Sequence, residues 1–171
     1  MLDTETTGIS PAHGHRIIEV GCVEVINGEI TGKAFHRYIN PAREIDAMAL
    51  SVHGLSRDFL SDKPHFATIA DELIKFIGDA ELIIHNAPFD LGFLDQEFAL
   101  LKRPRFSDQV SKITDSLLVA RQIYPGQRNS LDALCMRLSI NSEHRKLHGA
   151  LLDAQLLAKV YLSMVCAHNQ N

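Results

Sequence analysis

The sequence predicts an α/β domain in which a mixed sheet is covered by helices. Three observations carry that prediction. Val- and Ile-rich extended runs come first, helical periods then alternate with a further apolar run, and a hydrophobic fraction of 46% over 171 residues is enough for one substantial core. No internal repeat, linker or low-complexity tract breaks the order, so a single domain spanning residues 1–171 is expected.

Taken in order, Met1 to Glu5 reads as the end of a strand entering the turn signal Thr6-Thr7-Gly8. Ile17 to Ile26 is a second strand. Asn27-Gly28 then gives a hairpin turn into a third strand from Glu29 to about Ile39, which Pro41 ends. Asp62-Lys63-Pro64 opens a helix that continues through Ile77, with Gly78 just past its end. Glu81 to His85 is a short apolar strand. Pro88 falls in the first turn of a helix reaching about Leu101, with Lys102 and Arg103 near its C-terminal end, where cations are favoured. Shorter helices are expected over Ser116 to Ile123 and Ser130 to Leu138, and Asp115 reads as a cap. The last helix runs from about Gly149 to Val165.

Composition narrows the function classes. No apolar run is long enough for a membrane span, and no basic segment followed by an apolar stretch marks a secretory leader. Cys22, Cys135 and Cys166 lack metal or disulfide spacing and read as reduced core thiols. The formal charge of −4 argues against a protein that grips long stretches of duplex, because such grip comes from neutralised phosphates. An acidic nucleic-acid enzyme holds few nucleotides, is delivered by a partner, or spends part of its acid on metal. The residues support the last of these and leave the others open.

Asp3 and Glu5 alternate with Thr4 on the first strand, so their carboxylates project from one face. On a mostly buried strand the two repel each other unless a positive group lies between them. A polar strand end is the ordinary explanation. A divalent-cation site is the functional one, since Mg²⁺ and Mn²⁺ prefer carboxylate and water oxygen. Asp90, where a strand passes into a helix, is explained by the helix dipole alone. It becomes a third candidate ligand only because other acids exist to join it. Asp153 is more telling. Gln155, Lys159 and Ser163 make the polar stripe of the last helix, and Asp153 lies roughly 100–150° away from it, above Leu156, Leu157 and Val160. A carboxylate on an apolar face needs a partner, and no Lys or Arg stands three or four positions away, which makes a metal the economical one. His148 does not share a helical face with Asp153 and is expected to take a proton from the attacking water rather than to chelate. Four acids and one histidine suit phosphodiester hydrolysis assisted by two divalent cations.

Leu2-Asp3-Thr4-Glu5-Thr6-Thr7-Gly8, His85-Asn86-Ala87-Pro88-Phe89-Asp90 and His148-Gly149-Ala150-Leu151-Leu152-Asp153 resemble the three motifs of the DEDDh exonuclease family. The H-x4-D spacing of the third matches the histidine branch. The segments 100–103, 114–117, 128–135 and 147–157 are similar to the epsilon-type proofreading branch that serves bacterial DNA polymerase III, so the resemblance covers nearly the whole chain. It implies an RNase H-like fold, with a mixed five-stranded sheet flanked by helices. It also implies release of deoxynucleoside monophosphates from a DNA 3′ end, as in proofreading during replication, with two divalent cations, Mg²⁺ or Mn²⁺, per site.

By matching motif positions, the metal ligands would be Asp3, Glu5, Asp90 and Asp153, and the general base His148. Substrate contacts would come from Asp3, Glu5, Thr6, Val52, His53, Asn86, Phe89 and Asp153; for His53 a plain loop histidine stays equally open. The implied partners are a single-stranded or frayed DNA 3′ end and, where the full-length protein has the C-terminal tail, the polymerase III alpha subunit and the sliding clamp. The implied setting is the bacterial cytoplasm. Relative to the family pattern, the first strand is expected to be truncated and the polymerase-binding tail absent. Two other functions fit some of these features. A relative trimming RNA or single-stranded DNA ends outside the replicase would use the same motifs. A non-catalytic binding module is disfavoured, because all five catalytic positions are filled.

Overall fold

The computed structural model describes residues 1–143 and 145–168, with backbone alone for 167 and 168. Residues 169–171, part of the segment on which the absent-tail expectation rests, lie outside the described residues. Five strands form one sheet in the order β3-β2-β1-β4-β5: β1 (Leu2–Thr6), β2 (Ile17–Ile26), β3 (Glu29–Tyr38), β4 (Glu81–Ile84) and β5 (Lys112–Asp115). The β1–β2 and β2–β3 pairs are antiparallel, whereas β1–β4 and β4–β5 are parallel. This mixed arrangement is RNase H-like, as the motifs implied.

The β2–β3 hairpin turns where Asn27 and Gly28 both take positive φ, at 53° and 80°, as a tight primed turn requires. β2 is buried along most of its length, because helices cover both faces of the sheet there. β1 is central despite its shortness. Its only parallel register partner in β4 is Leu2 with Ile84, and the Met1 backbone extends the pairing to Val23 with two hydrogen bonds of 2.9 Å.

Seven helices are described: α1 (Ala47–His53), α2 (Arg57–Leu60), α3 (Phe66–Ile77), α4 (Ala87–Leu100), α5 (Ser116–Ile123), α6 (Leu131–Arg137) and α7 (Ala150–His168). One face of the sheet packs Leu2, Val20 and Ile84 against Phe66 and Leu73 of α3 and Phe93 and Phe98 of α4. The other packs Met1 and Val23 against Leu134 of α6 and Leu156, Leu157 and Val160 of α7. Alternation along β1 therefore aims Asp3 and Glu5, in phase with Met1, toward α7, and Thr4, in phase with Leu2, toward α4.

Three expectations need correction. The helix read from Asp62 begins at Phe66, after a turn. β5, α1 and α2 were not read from local pattern at all. Of the three cysteines, Cys22 and Cys135 are buried, but Cys166 is exposed because it falls off the buried stripe that ends at Met164.

Candidate active site

A cleft of about 700 Å³ opens at the C-terminal end of β1, and its lining includes Asp3, Glu5, Asp90, Asp153, His148 and Asn86. Each acid arrives by a different local route. Asp3 and Glu5 pair with Gly21 and Glu19 of β2. At Gly21 a side chain is impossible, since a Cβ there would lie 2.3 Å from the Leu151 backbone nitrogen. That close approach seats the start of α7 directly on the strand and brings Asp153 over β1. Asp90 enters through a strained entry to α4: Asn86 sits at φ 62°, a conformation asparagine tolerates better than most residues, and Pro88 follows in the first turn. The Asn86 backbone is held by Asp115 Oδ1, which also caps α5 at Leu117. One Asp90 oxygen accepts from Thr4 Oγ1 at 2.6 Å and from Thr4 N at 3.1 Å.

The convergence demanded by the sequence is present for Glu5, His148 and Asp153, whose ligand atoms all lie within 4.8 Å of one another. Asp3 lines the same cleft, and its carboxyl is pushed well above the ordinary range by burial, then by Asp90, Glu5 and Asp153. Burial, then Asp153 and Glu19, raise Glu5 to about 8. Burial raises Asp90 to about 7 against the opposing Thr4 hydrogen bonds. These carboxylates share too little positive charge to ionise together. The four carboxylates offer only oxygen, which fits a hard divalent cation, with the His148 imidazole beside them.

One cation is already there, and the search for a helical partner missed it. Arg145, from the segment ahead of α7, grips Asp153 with both prongs, Nε to Oδ1 at 2.6 Å and Nη2 to Oδ2 at 2.7 Å. It also bonds Asp132 and contacts His148 Nδ1 at 2.8 Å. Burial pushes the Asp153 carboxyl up, but the contacts with His148 and Arg145 outweigh it and hold it below the ordinary range. The signal was visible as Arg145-Lys146 just before a helix carrying a buried acid. It lay eight positions from Asp153, beyond any helical spacing.

Beside the cleft, sharing Glu5 and Phe89 with it, is an apolar recess of about 310 Å³ lined by Thr6, Ile9, Met48, Val52 and His53. Phe89 is 36% exposed and leans on Phe93. His53 is 4% exposed, and both ring nitrogens serve the backbone: Nδ1 accepts from Leu55 N at 3.0 Å, so Nε2 donates to Thr6 O at 3.2 Å. Burial pushes its imidazole down, in keeping with that neutral state. Its polar atoms are spent on holding the recess, and only its ring faces the space. The Val52 carbonyl accepts from His148 N at 3.0 Å, tying recess to cleft. Arg121 and Arg128, not singled out as site residues from sequence, also line the cleft.

The fold and the acid-lined cleft define a nuclease, and comparison with known proteins agrees. The exonuclease family model matches residues 1–161, and the chain belongs to that family. Within it the chain is 57% identical over 170 residues to the DNA polymerase III subunit epsilon of Escherichia coli (strain K12), covering 96% of this chain and 70% of that protein. It is 53% identical over 165 residues to the same subunit of Rickettsia typhi, covering 96% and 72%. Among solved structures, exonuclease X in complex with a 5′ overhanging duplex DNA matches with a TM-score of 0.75 at 25% identity, over 98% of this chain and 91% of that one. The nuclease domain of 3′hExo, a DEDDh family member bound to rAMP, shares the fold with a TM-score of 0.80 at 20% identity, over 97% and 90%. Divalent-cation use goes with this family. No described helix is long and apolar enough to cross a membrane.

Proposed function

We propose that this chain is a 3′–5′ exonuclease that shortens DNA one deoxynucleoside monophosphate at a time and proofreads during replication as an epsilon-type subunit of DNA polymerase III. The observation that carries the reading is the meeting of Glu5, Asp153 and His148 in a cleft that also holds Asp3 and Asp90. Asp3, Glu5, Asp90 and Asp153 would hold two divalent cations, Mg²⁺ or Mn²⁺. Bound there, the cations supply charge stabilisation to the attacking and leaving oxygens of the phosphodiester.

The chain's own groups supply the rest. The 3′-terminal nucleotide sits in the apolar recess, with its base against Phe89 and Val52 and its sugar end toward Thr6. The His53 loop shapes this recess, and Asn86 borders the phosphate. His148, exposed on the cleft side, takes the proton of the attacking water. Arg121 and Arg128 face the phosphates of the incoming strand, while the acidic floor discourages long duplex contact. Its protein partners would be the polymerase alpha subunit and the sliding clamp, in the bacterial cytoplasm.

A time course on 5′-labelled single-stranded DNA, with and without EDTA, tests the reading. A ladder that shortens from the 3′ end only when Mg²⁺ or Mn²⁺ is present is expected. Cleavage unaffected by EDTA, or products that keep the 3′ end, would overturn it. An RNA oligonucleotide of the same sequence should be cut far more slowly. Equal turnover would favour an RNA-trimming enzyme, since tolerance of the 2′-OH is a property of the recess.

A further inference from the structure

We propose that Arg145 is an internal stand-in for the divalent cation, which must release Asp153 before the site can be loaded. The inference rests on the metal-site reading above and goes one step beyond it.

This one side chain holds Asp153 and also touches His148. Both oxygens of Asp153 are taken by its guanidinium, so in this arrangement neither faces a cation unshared. The third prong reaches Asp132, and the arginine side chain, which lines the cleft, is only 6% exposed. Nη2 also lies 2.8 Å from His148 Nδ1, which is itself 3.3 Å from Asp153 Oδ2, so the guanidinium is wedged against both side chains. Arg145 and His148 lie three residues apart on the segment joining α6 to α7. When Arg145 withdraws, it frees both carboxylate oxygens of Asp153 for the cation; until then this acid stays paired inside the protein.

The sign of the effect separates this role from a merely structural one. A residue that only shapes the site weakens metal binding when removed, whereas a competitor strengthens it. Mn²⁺ is titrated calorimetrically into the full chain without nucleic acid, for wild type, R145Q and R145K, with metal-free melting measured in parallel. R145Q should melt lower without metal and bind Mn²⁺ about tenfold more tightly, a modest loss of competition by the usual affinity scale. R145K, which keeps the charge but not the two-pronged grip, should fall between. Equal or weaker binding by R145Q overturns the proposal. If R145Q does not fold, R145K decides alone: affinity above wild type supports the stand-in role, and unchanged or lower affinity overturns it. Wild type that binds no Mn²⁺ would instead overturn the metal-site reading itself, so the two failures are distinguishable.

Discussion

Two arginines in this molecule clamp a carboxylate in the same way and do opposite things. Arg16 grips Glu97 with two bonds of 2.7 Å, and Arg145 grips Asp153 at 2.6 and 2.7 Å. Glu97 takes a further bond from Ile17 N at 3.2 Å, so the fork fastens α4 to the start of β2 and leaves every partner satisfied. Around Asp153 lie Glu5 and Asp3, whose carboxyls are held up by burial and by each other, so its one arginine is outnumbered. Fork geometry does not assign a role. The count of like charges around the fork does: one pair is complete, and the other is short of cations.

The largest way to break that comparison is to remove an acid from each side. Asp3→Ala should reduce DNA cleavage to background while the protein stays folded, because removing that acid also removes repulsion; Asp153→Ala should abolish cleavage too, at a cost in stability, because buried Arg145 loses its partner. Retained turnover in a folded variant would contradict the ligand assignment, and circular dichroism checks the fold. His148→Ala should lower the rate by about 10²–10⁴, the usual contribution of a positioned base, with little change in metal affinity. Full activity in that variant would refute the base role. Glu97→Ala should do the reverse: activity per folded molecule persists. Stability drops by about 3 kcal/mol, because Arg16 is left without its partner, and the midpoint falls by about 10 °C. A loss in Glu97→Ala that appears in turnover and not in melting would mean the two forks are not separate in function.

How much of this was legible in the sequence depended on how local each cause was. The β2–β3 hairpin was readable because Asn27-Gly28 carries its own geometry. Asp153 was readable because a helix announces its apolar face by periodicity, and the structure buries that residue at 3% exposure. β5 spans only Lys112–Asp115, too short for alternation to show, and its place in the sheet is set by β4. The helix α1, which brings Val52 and His53 to the recess, is similarly short and exposes much of its apolar surface, Met48 above all, so no clean stripe marks it. Arg145 was missed for a physical reason. The helical period relates residues on one helix, and this arginine reaches Asp153 from outside it. Motif resemblance supplied the convergence of the acids, but it said nothing of the cation already among them.

The smallest expected effect sharpens the comparison through pH alone. In EDTA, Glu5 and Asp90 hold protons to about 8 and about 7 in the folded protein, against 4.5 and 3.8 for their ordinary values. The folded state therefore binds protons that the unfolded chain has released. This contribution to stability is full below the ordinary carboxylate range and is lost as pH rises through about 7 to 8. His53 and His85, pushed down by burial, act in the opposite direction, but only below their ordinary value of 6.5. Within the window from about pH 6.5 to 8 the Met1 amino group, pushed down from 8.0 by burial, opposes the acids, so their share is read against Glu5→Gln: the metal-free melting temperature of wild type should fall by a few degrees relative to that variant. Saturating Mg²⁺ should raise the curve and flatten it, since a cation that binds only the folded state takes the place of the protons. Glu5→Gln should flatten it without metal, because a neutral amide has no proton to lose. A wild-type midpoint that falls no more steeply than that of Glu5→Gln would mean the cleft carboxylates are already ionised and fully paired, and the distinction between the two forks would disappear.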